Sequence, residues 1–255
     1  MAATWGDFSR SAPHYVHEPG YPASAIDALR GLLPSARSLC IADIGAGTGN
    51  LTRLLSQHAA QVWAVEPNRA MMQEGQLRLS ELRNVTWVSG HAEATNLSSC
   101  SIDWICMGNA FHWADSLRAL HEFDRLLKSG GRLSVIWNLR AVDEDPVLQE
   151  IEALVRRLAP GIGRVYLNYE ELLAGPARRV WESTQFDDCV YINAKIVETF
   201  TKDRYIGMWR GAHNIPAQVD KKTWDSIITE IGGLLNGRDT VDLHMRAHCW
   251  SVKSR

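Results

Sequence analysis

Five short apolar runs, most of them separated by a stretch of helix length, constrain this chain more than any other feature. They are Ser38–Ile44 (SLCIADI), Gln61–Glu66 (QVWAVE), Val85–Ser89, Ile102–Gly108 (IDWICMG) and Arg132–Trp137. Runs of this length suit strands buried on both faces. Between them, Ala23–Leu33 reads as a helix with Pro22 at its first turn and Pro34 at its end. Leu51–Gln57 and Asn68–Leu82 follow, the latter with Asn68 as N-cap. Leu117–Lys128 is an amphipathic helix that Ser129-Gly130-Gly131 is expected to close. Strands and helices alternating in this way favour a parallel sheet covered on both faces, with ligands bound beyond the carboxyl ends of the strands. Function is therefore sought first at residues 43–49, 66–68, 90–93, 109–113 and 137–140.

After Asn138 the pattern changes. Residues 146–183 read mostly as helix, Cys189–Phe200 as an extended strand, Thr201–Trp209 and Lys222–Leu235 as helices, and Val241–Val252 as a final strand. The two late strands are expected to pair antiparallel at the sheet edge, with the helices between them as a lid over the strand ends. The expectation is an α/β fold: a seven-stranded, mostly parallel sheet, helices on both faces, and a helical lid near the C-terminus. The 255 residues read as one domain, with a cofactor-binding core over 22–138 and substrate-side helices, late strands and lid over 139–255.

Composition narrows the partners. With 45% apolar and 22% charged residues the chain can bury a full core. A net charge of -2 and a pI near 6.5 show none of the basic excess expected of a protein that grips phosphates, so no nucleic-acid partner is expected. No run approaches the roughly 18 apolar residues of a membrane span, and the first residues lack a signal-peptide core, so a cytoplasmic protein is expected. Five scattered cysteines without a C-x-x-C pair point to a reducing compartment and to no metal site. Of ten tryptophans, Trp63, Trp87 and Trp104 follow strand patterns, whereas Trp113, Trp137 and Trp209 are placed to wall a pocket. Oligomeric state is not legible.

The first run ends in Asp43-Ile44-Gly45-Ala46-Gly47-Thr48-Gly49-Asn50. Alternate glycines let the backbone turn sharply and let a ligand approach without a Cβ in the way. A dinucleotide turn reads G-x-G-x-x-G, but here Gly49 comes one place early and Asn50 takes the later position. Glu66, 21 residues after Gly45, puts a carboxylate at the neighbouring strand end, where it can accept both ribose hydroxyls of an adenosyl group.

On these residues the chain resembles the class I S-adenosylmethionine-dependent methyltransferases, of Rossmann-like fold, and within them the small-molecule group that includes the trans-aconitate methyltransferases. The D-x-G-x-G-x-G pattern is met by Asp43–Gly49, the acidic residue followed by P-x-x-x-M by Glu66–Met71, and G-x-A-E by Gly90–Glu93. A-F-H-W is met by Ala110–Trp113, and R-x-L-K-x-G-G by Arg125–Gly131. The resemblance implies S-adenosyl-L-methionine as cofactor. Gly45, Gly47 and Gly49 would line its methionine end, Asp43 would position the ammonium, and Glu66 would hold the ribose. Met71 would cover one adenine face, Ala92 and Glu93 would lie near its edge, and Asn109 would reach the methionyl group. Two departures stand out. Glu18 takes the place of a family arginine before Pro19, and His91 replaces the usual Asp or Arg.

Methyl transfer from a sulfonium is chiefly a matter of alignment and desolvation, with a base needed only for a protonated nucleophile. His112 is the candidate catalytic base; the alternative is that it and Trp113 shape the pocket. Tyr15 or Trp113 offers an aromatic face to the cationic donor. Arg140 and Arg210 are candidate carboxylate clamps, and Tyr21, Asn138 and His213 are further acceptor contacts. His14 and Tyr15 belong to an N-terminal segment that either folds over the cofactor or stays disordered. The acceptor is expected to be a small molecule, methylated at a carboxylate or hydroxyl oxygen. Two other readings remain: a non-catalytic module that binds the same cofactor, and a nicotinamide-dependent oxidoreductase.

Overall fold

The computed structural model describes residues 12–34, 38–163, 169–212 and 215–255. One seven-stranded sheet organises them: β1 (Cys40–Ile44), β2 (Gln61–Val65), β3 (Val85–Val88), β4 (Ile102–Gly108), β5 (Leu127–Arg140), β6 (Phe186–Thr201) and β7 (Thr240–Ser254). Their order is β3-β2-β1-β4-β5-β7-β6. The first five strands are parallel, and β7 runs antiparallel between β5 and β6. The Rossmann-like architecture expected from the alternating pattern is the one found.

Burial explains the central strands. Ile41, Ala42 and Ile44 of β1 are fully enclosed, as suits a strand covered on both faces. On one face lie α1 (Ala23–Arg30) and α2 (Asn50–Leu55), whose Ile26, Leu29, Leu51 and Leu55 pack onto Ile41, Val62 and Trp104. On the other lie α4 (Ser116–Leu126) and α7 (Pro176–Trp181), packed through Phe123 and Val180 on Val135, Trp137 and Trp250. The third helix, α3 (Arg69–Arg78), is capped by Asn68, whose side chain accepts from the amides of Ala70 and Met71 at 3.0 and 3.1 Å.

A separate apolar cluster joins α5 (Pro146–Leu158), α8 (Lys202–Arg210) and α9 (Lys221–Leu234) to the ends of β6 and β7 through Phe200, Tyr205, Trp209, Ile227 and Ile231. Because β6 runs in the same sense as β5, α8 leaves it at the carboxyl end of the parallel strands. The helical lid therefore stands on the side where a ligand is expected. A short 3-10 turn, Ala12–His17, completes it by packing between α8 and α3. The fit against α8 is close: a Cβ added at Gly207 would meet the His17 ring at 2.5 Å.

Two local expectations change. Ser129-Gly130-Gly131 does not close a helix, because α4 ends at Leu126 and β5 begins at Leu127. Leu127 pairs with Ile102 and Arg132 with Trp104, so the intervening residues form an irregularity inside the strand, with Gly130 at φ +77. The helical stretch over 146–183 is broken into α5, α6 (Tyr169–Ala174) and α7, with Gly175 between the last two. Among the described residues no helix is long and apolar enough to cross a membrane.

Candidate active site

The chain order places β1 at the point where the sheet's connections change direction, to β2 on one side and β4 on the other. Open α/β sheets present a crevice there, and here it is a cavity of about 680 Å³. That volume lies within the roughly 300–1,000 Å³ of small-ligand pockets.

The floor of the cavity is the glycine turn. Gly45, Gly47 and Gly49 all have positive φ, at +73, +57 and +86. Gly45 and Gly47 line the cavity, and a Cβ on Gly47 would meet nothing within 4 Å, leaving its backbone open to a ligand. Gly49 is set back from the wall as N-cap of α2, against Leu79 and Trp87.

Two carboxylates flank the turn. Asp43 is almost fully buried, and its Oδ2 accepts the Thr52 hydroxyl at 2.6 Å. Its Oδ1 is buried with no partner among the described residues. Burial pushes this carboxyl up to about 7, against the opposing Thr52 hydrogen bond and with the help of nearby Glu66. Glu66 is held by two backbone amides, those of Gly47 and Asn68, each at 2.8 Å. Burial raises its affinity for a proton and those amides oppose the rise. Met71 and Ala92, both buried, complete this half of the wall with Pro67 and Asn68. Glu93 lies off the wall. Its oxygens take His91 Nδ1 at 2.9 Å and the Asp115 amide at 2.7 Å, so it braces the turn after β3 against the cap of α4.

The opposite half is built from β4, β5 and the lid. Asn109 adopts φ +49; its amide donates to Ile136 at 2.8 Å and its Oδ1 accepts from the Asn138 amide at 2.9 Å. Asn138 Nδ2 in turn donates to the Gly20 carbonyl at 2.9 Å, while its Oδ1 is buried and without a hydrogen-bond partner among the described residues. His112, Trp113, Trp137, Arg140, Tyr15 and Tyr21 all line the cavity. The Trp137 indole donates to His112 Nδ1 at 3.2 Å. Arg140 lies over the Trp209 ring at 4.8 Å. Burial raises both tyrosine hydroxyls well above their ordinary range. Arg210 is exposed at the end of α8, and the next residues, Gly211 and Ala212, reach the cavity with Ile215. His213 lies outside the described residues.

Some residues at the site had no role assigned in the sequence reading. Glu18, marked in the sequence only as a departure, lines the cavity as Arg140 does: burial raises its carboxyl, and Arg140 and Arg204 pull it back. Thr52 could have been found as the hydroxyl one turn into α2, facing the end of β1. Leu139, Gly211 and Ala212 had no such mark.

The chain itself is similar to known methyltransferases. Residues 42–135 match the family model described as a methyltransferase domain. An uncharacterized methyltransferase of Mycobacterium tuberculosis is 37% identical over 146 residues, covering 57% of this chain and 54% of the relative. A malonyl-[acyl-carrier protein] O-methyltransferase of Enterobacter lignolyticus is 30% identical over 144 residues, covering 56% and 55%. The chain thus spans about half the length of these curated relatives. In fold it is similar to a solved protein assigned as a type II methyltransferase from Anaeromyxobacter dehalogenans, with a TM-score of 0.63, 22% identity, and coverage of 93% and 97%.

The donor-side chemistry agrees with that match. A buried carboxyl oxygen without a partner suits an ammonium group, a clamped second carboxylate suits a pair of hydroxyls, and a pyrophosphate would meet two acids at the glycine turn. Residues 42–135, which carry the glycine turn, Asp43 and Glu66, thus match a methyltransferase domain.

Proposed function

We propose that this chain transfers a methyl group from S-adenosylmethionine to an oxygen of a small-molecule acceptor held on the β4–β5 side of the cavity. The observation that carries this reading is that a single cavity joins the two carboxylates of the glycine-turn side to His112, Trp113, Asn138 and Arg140. The 30% identity to an O-methyltransferase supports oxygen as the acceptor atom.

When bound, the donor supplies an electrophilic methyl on sulfur. The chain's part is to bind, orient and exclude water. Asp43 holds the ammonium and Glu66 the ribose hydroxyls. Gly45 and Gly47 let the backbone approach, Gly49 shapes the turn, and Met71 and Ala92 flank the adenine. Glu93 keeps Ala92 in place, and Asn109 ties the end of β4 to Asn138. Tyr15 and Tyr21 close the cavity from the N-terminal side, while Trp113, Asn138 and Arg140 contact the acceptor. Arg210 and His213 belong to the rim of the lid in this reading.

Calorimetric titration of the full chain with S-adenosylhomocysteine and, separately, NADH tests the donor assignment, and binding of NADH alone would overturn it. Incubation with methyl-labelled donor and a small-molecule extract tests the transfer. Label in a small molecule that base releases as methanol marks a methyl ester and supports oxygen methylation. Donor binding with no label transferred to any small molecule would instead favour a non-catalytic module.

A further inference from the structure

The hydrogen bond between Trp137 and His112 has a fixed direction. An indole nitrogen donates and never accepts, so at 3.2 Å it requires a lone pair on His112 Nδ1. A neutral His112 therefore keeps its proton on Nε2. A second proton, on Nδ1, would set one N–H against another.

We infer that Trp137 is a positioning residue that presents His112 to the acceptor as a hydrogen-bond donor rather than as a base. The inference rests on the methyl-transfer reading above. Trp137 is itself locked in place: it is 1% exposed and stands edge-on to Phe111 at 6.4 Å and 77° and to Trp250 at 5.7 Å and 74°. His112 is tilted against Trp113 at 5.0 Å and 41°, so its ring is braced by a second aromatic as well. Both residues line the same cavity. A ring with Nδ1 occupied and Nε2 protonated has no lone pair to receive the acceptor's proton. The acceptor oxygen must then arrive already ionised, which favours an acid over an alcohol.

The decisive measurement is long-range proton–nitrogen NMR on the full chain, labelled with ¹⁵N-histidine and saturated with S-adenosylhomocysteine. The His112 signals are identified by their loss in His112→Gln. The expected spectrum shows the Nε2–H tautomer in the wild type and a mixture in Trp137→Phe, which keeps a ring but loses the donor. An Nδ1–H tautomer in the wild type overturns the inference whether or not Trp137→Phe folds, and so does a Trp137→Phe spectrum unchanged from the wild type. A rate measurement separates donor from base, using labelled S-adenosylmethionine with a set of aliphatic dicarboxylates and a set of phenols as probes. A donor role predicts that His112→Gln, which keeps an N–H donor, retains kcat about tenfold or more above that of His112→Ala. A base role predicts that both variants lose about 10²–10⁴-fold. If S-adenosylhomocysteine fails to bind, the functional reading fails. If it binds and neither probe set is methylated, the proposed acceptor chemistry fails while the NMR still decides the role of Trp137.

Discussion

Asp43 concentrates the cost of building this site. Its proton is held to about 7 against an ordinary 3.8, because a buried carboxylate with one partnered oxygen lacks the solvation it has in the unfolded chain. Between those values the folded state binds a proton that the unfolded state has lost, so stability falls as pH rises from about 4 to about 7 and then levels off. The full difference is about 4 kcal/mol at 1.36 kcal/mol per pKa unit. Asp43→Asn removes that penalty. It is expected to raise the melting temperature of the ligand-free chain at pH 8, flatten its pH dependence, and weaken S-adenosylhomocysteine binding by tenfold or more. Thermal scans between pH 5 and pH 8 with paired titrations check all three. For the wild type, affinity should increase from pH 6 to pH 8 as Asp43 ionises; a flat profile would count against its contact with the ammonium. The glycines beside it allow a sharper contrast. At Gly45 a Cβ would lie 2.8 Å from that of Ala110, so Gly45→Ala should lose roughly 1–3 kcal/mol of stability by urea unfolding. Gly47→Ala meets open space at φ +57, so it should unfold more nearly like the wild type and yet bind S-adenosylhomocysteine poorly.

At the scale of elements, the N-terminal segment is a strap tied at both sides. Gly20 donates to Glu198 Oε2 at 3.1 Å and accepts from Asn138, and Arg204 bonds both Glu198 and the Glu18 carbonyl. These ties anchor the stretch that carries Tyr15, Glu18 and Tyr21 to the cavity. Glu198→Gln weakens them without touching the cavity wall, and S-adenosylhomocysteine should then dissociate several-fold faster in stopped-flow displacement with little change in thermal stability. An unchanged off-rate would mean the strap does not gate exchange. The same elements show what a sequence can and cannot disclose. The strand–helix alternation made the sheet and the positions of Asp43 and Glu66 legible, because each follows from local periodicity and its distance along the chain. Ser129-Gly130-Gly131 misled because a helix stop and a strand irregularity have the same composition, and only the pairing of Leu127 with Ile102 distinguishes them. The charge of Arg140 acting on Glu18 and the bond from Trp137 to His112 join residues far apart in sequence, and no local pattern encodes them.

For the molecule as a whole, the packing separates a rigid body from a working edge. The two apolar clusters that sandwich the sheet contain the central strands, whereas α5, α8 and α9 form their own cluster with the ends of β6 and β7. Local opening should follow that division. Hydrogen exchange with and without S-adenosylhomocysteine is expected to slow mainly at residues 15–22, 45–50 and 202–212, and hardly at all in β4 and β5 below Gly108. Uniform protection across the sheet would contradict it. Pairing between β5 and β7 continues without a break from Arg132 to Arg140, past the point where β4 ends. The ladder that closes the sheet therefore also erects the wall bearing Trp137, Asn138 and Arg140. Mutations on that overhang and in the lid can accumulate without disturbing the glycine turn or the acids beside it. A lineage built on this plan can keep one donor while its descendants try new acceptors, and an engineer can graft the overhang and lid of one member onto the core of another.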